Sequence, residues 1–158
     1  GKQGDVMKES VQCSLTAAVN YLKDNHKKYN IEDFDTYFNS KFINGFHVHC
    51  PSTSTPKDGP SAGCAFTTCF ISRILEKPIN NLVAMTGEVE LNGNITKIGG
   101  LEYKLYGAKM AGVKNIFVPK ENEDDLIEIK KKYKDIITKD FSVKTFSKIG
   151  DIIDEVLL

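Results

Sequence analysis

Apolar residues recur near the start of the chain at Val6, Met7, Val11, Leu15, Ala18, Val19 and Leu22, the spacing of one helical face. Asp5 stands just before them as a candidate N-cap, so the pattern predicts a long amphipathic helix. After a polar exit, Ile31 to Phe38 reads as a short helix packed through Phe34, Tyr37 and Phe38. The period then changes. Phe46, Val48 and Cys50 alternate with His47 and His49, which predicts a half-buried strand within Ile43 to Cys50. A run of small and apolar residues follows, and it predicts a helix from Ser61 to Glu76 that stops at Lys77-Pro78.

Leu82 to Met85 is a short apolar strand, and Glu88 to Leu91 with Ile95 to Ile98 flank Asn92-Gly93, a strong hairpin signal. Gly99-Gly100 opens a helix carrying Leu101, Leu105, Ala108 and Met110, closed by Gly112. Asn115 to Val118 reads as a buried strand, Asp124 to Tyr133 as a helix, Ser142 to Phe146 as a strand and Ile149 to Leu157 as a last helix. Helices and strands alternate without the regular βαβ beat of a dinucleotide fold, so the expected class is α+β.

Composition narrows the partners. With 158 residues the natural expectation is one domain with one substantial core. Lys+Arg and Asp+Glu both number 21, so the net charge is zero and favours neither nucleic acid nor an anionic membrane. Arg73 is the single arginine, which leaves almost no bidentate forks for phosphate. Cys13, Cys50, Cys64 and Cys69 form no C-x-x-C pair, and three of them sit in apolar surroundings, the pattern of reduced core thiols. No apolar run reaches the ~18 residues that span a bilayer, and no signal-peptide pattern is visible. The expectation is a soluble intracellular protein.

Candidate chemistry gathers at Pro56-Lys57-Asp58-Gly59-Pro60-Ser61-Ala62-Gly63. Two prolines keep this loop out of helix, Gly59 permits a turn, and Ser61 falls at the mouth of the helix that follows. There the backbone N–H groups lack intrahelical partners and suit a developing oxyanion. Serine before an apolar run is, taken alone, more often an N-cap than a nucleophile.

The octet, together with Met85-Thr86-Gly87-Glu88 and Gly99-Gly100-Leu101-Glu102-Tyr103-Lys104, resembles the peptidase domain of the Lon family, ATP-dependent serine proteases that use a Ser-Lys dyad. The resemblance runs from Gly4-Asp5-Val6-Met7-Lys8-Glu9-Ser10 to the final helix. It implies Ser61 as nucleophile, Lys104 as base, and Thr86 as the hydroxyl that bonds the lysine. It also implies a supporting loop of Asp58, Gly59 and Ala62, with Asp58 shielding the serine or capping its helix. The implied architecture is that of the second domain of ribosomal protein S5.

The chemistry sets a condition on the base. A lysine amine has an unperturbed pKa of ~10.4, so serving at neutral pH requires a shift of about three units, roughly 4 kcal/mol. Burial against apolar walls is the means, and Leu101, Leu105 and Ala108 border position 104 on a helix.

The resemblance further implies unfolded polypeptide substrates and a homohexamer. The family continues upstream into an ATPase module, so residues 1–158 are expected to be an excised proteolytic domain. ATP and Mg are expected on that module, and no cofactor or metal in this domain, which has no G-x-x-x-x-G-K-[ST] loop. The implied location is cytoplasm or mitochondrial matrix. Departures from the family pattern are modest: Ser52 and Thr53 replace an acidic-glycine pair, and Glu102-Tyr103 replaces Lys-Glu before Lys104.

Rival readings remain. A catalytically silent protein- or RNA-binding module of the same fold would lose Ser61 or Lys104, and both are present. A zinc site at His47 and His49 lacks a third ligand at matching spacing. A cysteine hydrolase using Cys50 or Cys64 with His47 lacks a cysteine at a turn-to-helix start.

Overall fold

The computed structural model describes all of residues 1–158. Six α-helices form: α1 (Asp5–Asp24), α2 (Phe34–Lys41), α3 (Gly63–Leu75), α4 (Leu101–Met110), α5 (Glu123–Lys132) and α6 (Gly150–Val156). Five strands are interspersed: β1 (Val83–Met85), β2 (Glu88–Val89), β3 (Ile95–Thr96), β4 (Asn115–Pro119) and β5 (Ser142–Phe146). The α+β expectation holds.

One part departs from it. β1, β4 and β5 are neighbours in that order and pair in parallel, Val83 opposite Asn115 and Ile116 opposite Val143. α4 and α5 lie between them in the chain, so the second half is a βαβαβ unit. The short β2–β3 hairpin interrupts its first crossover, which hides the beat in the sequence.

Side chains of this sheet alternate between two cores. Phe117 and Phe146 join the larger one, built with Ala17, Ala18, Leu22, Phe70, Ile71, Ile74 and Ile153 of α1, α3 and α6. Ile116 and Val118 face the other way, into Leu101 and Leu105 of α4 and Leu126 and Ile129 of α5. The sheet therefore separates an α1–α3–α6 layer from an α4–α5 layer.

Several local expectations are corrected. Gly4, not Asp5, is the N-cap of α1. The buried face of α1 is Met7, Ser10, Ser14, Ala17, Ala18 and Leu22, while Val6 is exposed. Small residues on this face let α1 approach α3 closely. α2 starts later than expected, because Asp33 accepts from Thr36 N–H at 3.2 Å and fixes its N-terminus.

Residues 46–50 keep the expected alternation, with His47 and His49 exposed and Phe46, Val48 and Cys50 half-buried, yet they form no strand. Periodicity reports burial on one side; a ladder also needs backbone hydrogen bonds to a neighbour, and residues 46–50 make none. Phe46 instead packs with Phe42 and Phe70 at centroid distances of 5.0 and 5.4 Å. The hairpin pairs only Glu88 with Thr96 and Val89 with Ile95, and Gly93 turns it at φ +83°. Met110, one of the apolar residues of α4, is exposed. Cys64 is buried, Cys13 and Cys50 are half-buried and Cys69 is exposed, all as free thiols.

Candidate active site

α3 begins at Gly63 with Ala62 as N-cap, so Ser61 occupies the turn just before the helix rather than its first turn. Its carbonyl is held twice, by Gly87 N–H at 2.9 Å and by Thr86 Oγ1 at 3.1 Å. Cys64 N–H returns the contact by donating to the Gly87 carbonyl at 3.0 Å. The head of α3 is thereby stitched to the chain leaving the carboxyl end of β1, the end of a parallel sheet where ligands commonly bind.

Glycines make the approach possible. A Cβ at Gly63 would lie 2.8 Å from Val89 N, and one at Gly87 would lie 2.4 Å from Ile95 Cγ2. From the other side, Ser14 Oγ donates to the Gly63 carbonyl at 3.1 Å and Ser10 Oγ to the Pro60 carbonyl at 3.4 Å. Ser10 and Ser14 are site-supporting residues that periodicity misses, since it scores them as polar; small hydroxyls inside a helix face are the signal that could have found them.

Lys104 arrives from the opposite layer. Gly100, at φ +66°, is the N-cap of α4, and Leu101 and Leu105 bury one side of the helix, leaving Lys104 half-buried. Its Nζ donates to Ser61 Oγ at 3.4 Å across 43 positions of sequence. No carboxylate lies within ion-pair distance of that amine. The start of α4 is fixed by Asn122, fully buried after β4, which accepts from Ile98 N–H at 3.0 Å and donates to the Ile98 carbonyl at 2.9 Å. Sequence reading gave Asn122 no role.

Two of the expected site residues act differently. Thr86 is buried and bonds the Ser61 carbonyl, not the amine of Lys104. Asp58 is exposed and neither shields the serine nor caps α3; its Oδ1 accepts from Met7 N–H of α1 and from Gly59 N–H, both at 2.8 Å. These backbone donors hold its carboxyl below the usual carboxylate range. The Gly59 N–H is occupied by that contact, whereas the N–H groups of Ser61 and Ala62 have no protein acceptor and are left available to an oxyanion.

The rival cysteine chemistry fits poorly. Cys64 is fully buried, and desolvation pushes its thiol up to about 12, so it stays protonated. Cys50 receives the side-chain amide of Gln3 at 3.5 Å. No group of three or more His, Cys, Asp or Glu side chains is placed to hold a metal ion, and no helix is long and apolar enough to cross a membrane.

Comparison with known proteins covers the whole chain. The model of the Lon protease (S16) C-terminal proteolytic domain covers residues 1–158. A "Lon protease homolog" of Acanthamoeba polyphaga mimivirus is 48% identical over 155 residues, 98% of this chain and 14% of that protein. A "Lon protease" of Geobacter metallireducens is 40% identical over 155 residues, 97% of this chain and 17% of its own length. A "Lon protease homolog, mitochondrial" of Phaeodactylum tricornutum is 40% identical over 155 residues, 96% and 16% respectively. The chain therefore spans about one sixth of the length of these relatives.

Proposed function

This chain belongs to the Lon protease family, and from that premise we propose that it is a serine endopeptidase domain in which Ser61 and Lys104 form a catalytic dyad. The observation that carries the reading is the 3.4 Å approach of Lys104 Nζ to Ser61 Oγ at the mouth of α3. Serine needs a base beside it to attack at neutral pH. The Lys104 amine stands on a half-buried helix position with no carboxylate paired to it, and its side-chain partner is the serine hydroxyl.

In the proposed cycle Oγ attacks the scissile carbonyl carbon while its proton passes to the amine of Lys104. The oxygen that gains charge is met by the N–H groups of Ser61 and Ala62. The resulting ammonium gives its proton to the departing peptide nitrogen as the C–N bond breaks, leaving an ester on Ser61. Water then attacks the ester carbonyl, its proton goes to the same amine, and Oγ leaves and is reprotonated.

The wider setting follows the family. The substrates are unfolded or damaged polypeptides, fed by an ATPase module outside these residues, and the assembly is a homohexamer in the cytoplasm or mitochondrial matrix. The architecture is that of the second domain of ribosomal protein S5. On this reading nucleotide and its Mg belong to the ATPase module, and the cycle uses the side chains of Ser61 and Lys104.

The test is hydrolysis of an unstructured protein and labelling by a fluorophosphonate, comparing the wild type with Ser61→Ala and Lys104→Ala. Label mapped to Ser61, and lost in both variants, is the expected result. Equal turnover in all three would refute the dyad, whereas a wild type with neither turnover nor label would leave a silent protein- or RNA-binding module.

A further inference from the structure

The loop that carries Ser61 is laid along the first ten residues of the chain. Lys57 N–H donates to the Lys2 carbonyl at 3.1 Å and Gly4 N–H to the Lys57 carbonyl at 2.8 Å, a parallel bridge between Gln3 and Lys57. At the next residue the side chain takes over. A single oxygen of Asp58 joins the Met7 N–H in the first turn of α1 to the Gly59 N–H of its own loop. Three residues into the helix from Met7, Ser10 reaches the Pro60 carbonyl, one position before Ser61.

Two features make Asp58 more than a surface acid. The N-cap residue of α1, Gly4, offers no side-chain acceptor, and Asp5, the acid of that first turn, is turned to Lys8 at 3.1 Å. The cap of α1 is therefore supplied from outside the helix, by the serine loop. In addition, a Cβ at Gly4 would lie 2.2 Å from Asp58 Cγ and 2.3 Å from its Oδ2. The carboxylate seats itself where only glycine leaves room.

We propose that Gly4 and Asp58 form a latch, with Asp58 a positioning residue that holds the loop on the head of α1 and so sets Ser61 in register with Lys104. The inference rests on the reading of Ser61 as nucleophile. Its physical basis is that the Ser61–Lys104 contact, at 3.4 Å, is near the limit of a hydrogen bond, so a shift of a few tenths of an ångström in the loop breaks it.

The experiment measures the rate of fluorophosphonate labelling of Ser61 in this chain, well below each variant's melting temperature. Asp58→Ala and Gly4→Ala are each expected to slow labelling about tenfold or more, as small misplacements of reacting groups do. The double variant is expected to be no slower than the slower single one, because both substitutions remove one contact. Asp58→Asn, which keeps an oxygen acceptor, recovers most of the rate. In amide spectra the Met7 resonance moves in Gly4→Ala although Asp58 is intact.

Wild-type labelling in either single variant, or a double variant slowed by the product of the two effects, overturns the latch. An unmoved Met7 resonance in Gly4→Ala overturns it as well. Label that falls elsewhere, or persists in Ser61→Ala, removes the nucleophile reading instead, while the Met7 resonance still reports on the contact.

Discussion

Thr86 donates its hydroxyl to the carbonyl of Ser61 at 3.1 Å, so the residue after β1 grips the backbone of the nucleophile and leaves its side chain free. Thr86→Val keeps the shape and removes that bond. The Ser61 carbonyl retains the Gly87 N–H, so the expected loss is about 1 kcal/mol of stability, with a several-fold fall in kcat. Urea denaturation alongside peptide hydrolysis checks it; a large rise in KM with unchanged kcat would assign Thr86 to substrate binding.

Gly63 and Val89 are the tightest backbone approach at the site. Gly63→Ala drives a Cβ to 2.8 Å from a backbone nitrogen that has no flexible end to swing away. The expected cost is about 1–3 kcal/mol, with loss of Ser61 labelling even in the folded fraction. Alanine at Gly107, where a Cβ would meet nothing within 4 Å, is the matched control and is expected to leave labelling unchanged.

Asn122 satisfies both backbone groups of Ile98 from a fully buried position and also donates to Asp125 at 2.7 Å. Asn122→Ala leaves a buried N–H and C=O without partners, so a destabilisation of about 2–4 kcal/mol is expected. Thermal unfolding measures it. Because Ile98 leads through two glycines into α4, kcat is expected to fall further than the unfolded fraction explains.

If Ser61 and Lys104 act as one unit, their removals do not add. Ser61→Ala and Lys104→Met are each expected to lower kcat by about 10³-fold or more, with the double variant no worse than the single ones. A double variant that multiplies the two losses would mean that the residues act in separate steps.

Asp58 gives the stability a pH dependence of known sign. Its carboxyl is held below its ordinary value of 3.8 by the Met7 and Gly59 N–H groups, with Lys8 nearby adding to the effect. A lowered folded-state value means that its stabilisation is present above the ordinary range and lost as pH falls through the lowered value. Asp33 and Asp125 are lowered too, so the difference between wild type and Asp58→Asn is the quantity to follow. Wild type is expected to melt higher at pH 7 and to converge with the variant on acidification.

Elements with internal signals were legible in the sequence. Gly112 at φ +79° after α4, Asn92-Gly93 at the hairpin and the apolar run of β4 each carry their own instruction. The loop motif and its helix placed Ser61, and the Gly100–Lys104 segment placed the lysine on a half-buried helix. Relationships between distant segments were not legible. Nothing local to Asp58 says that its oxygen will cap a helix 51 positions earlier, and nothing at Thr86 prefers a carbonyl to an amine. The segment around His47 and His49 reads as a strand because alternation records which side is covered, and it is silent on whether a partner lies alongside.

The sheet of β1, β4 and β5 has the serine brought in over one of its faces and the lysine over the other. On the proposed reading, a half-folded chain is harmless to its neighbours. During synthesis the hydroxyl emerges first and waits without a proton acceptor until the later helices dock, so cutting power arrives only with completion of the fold.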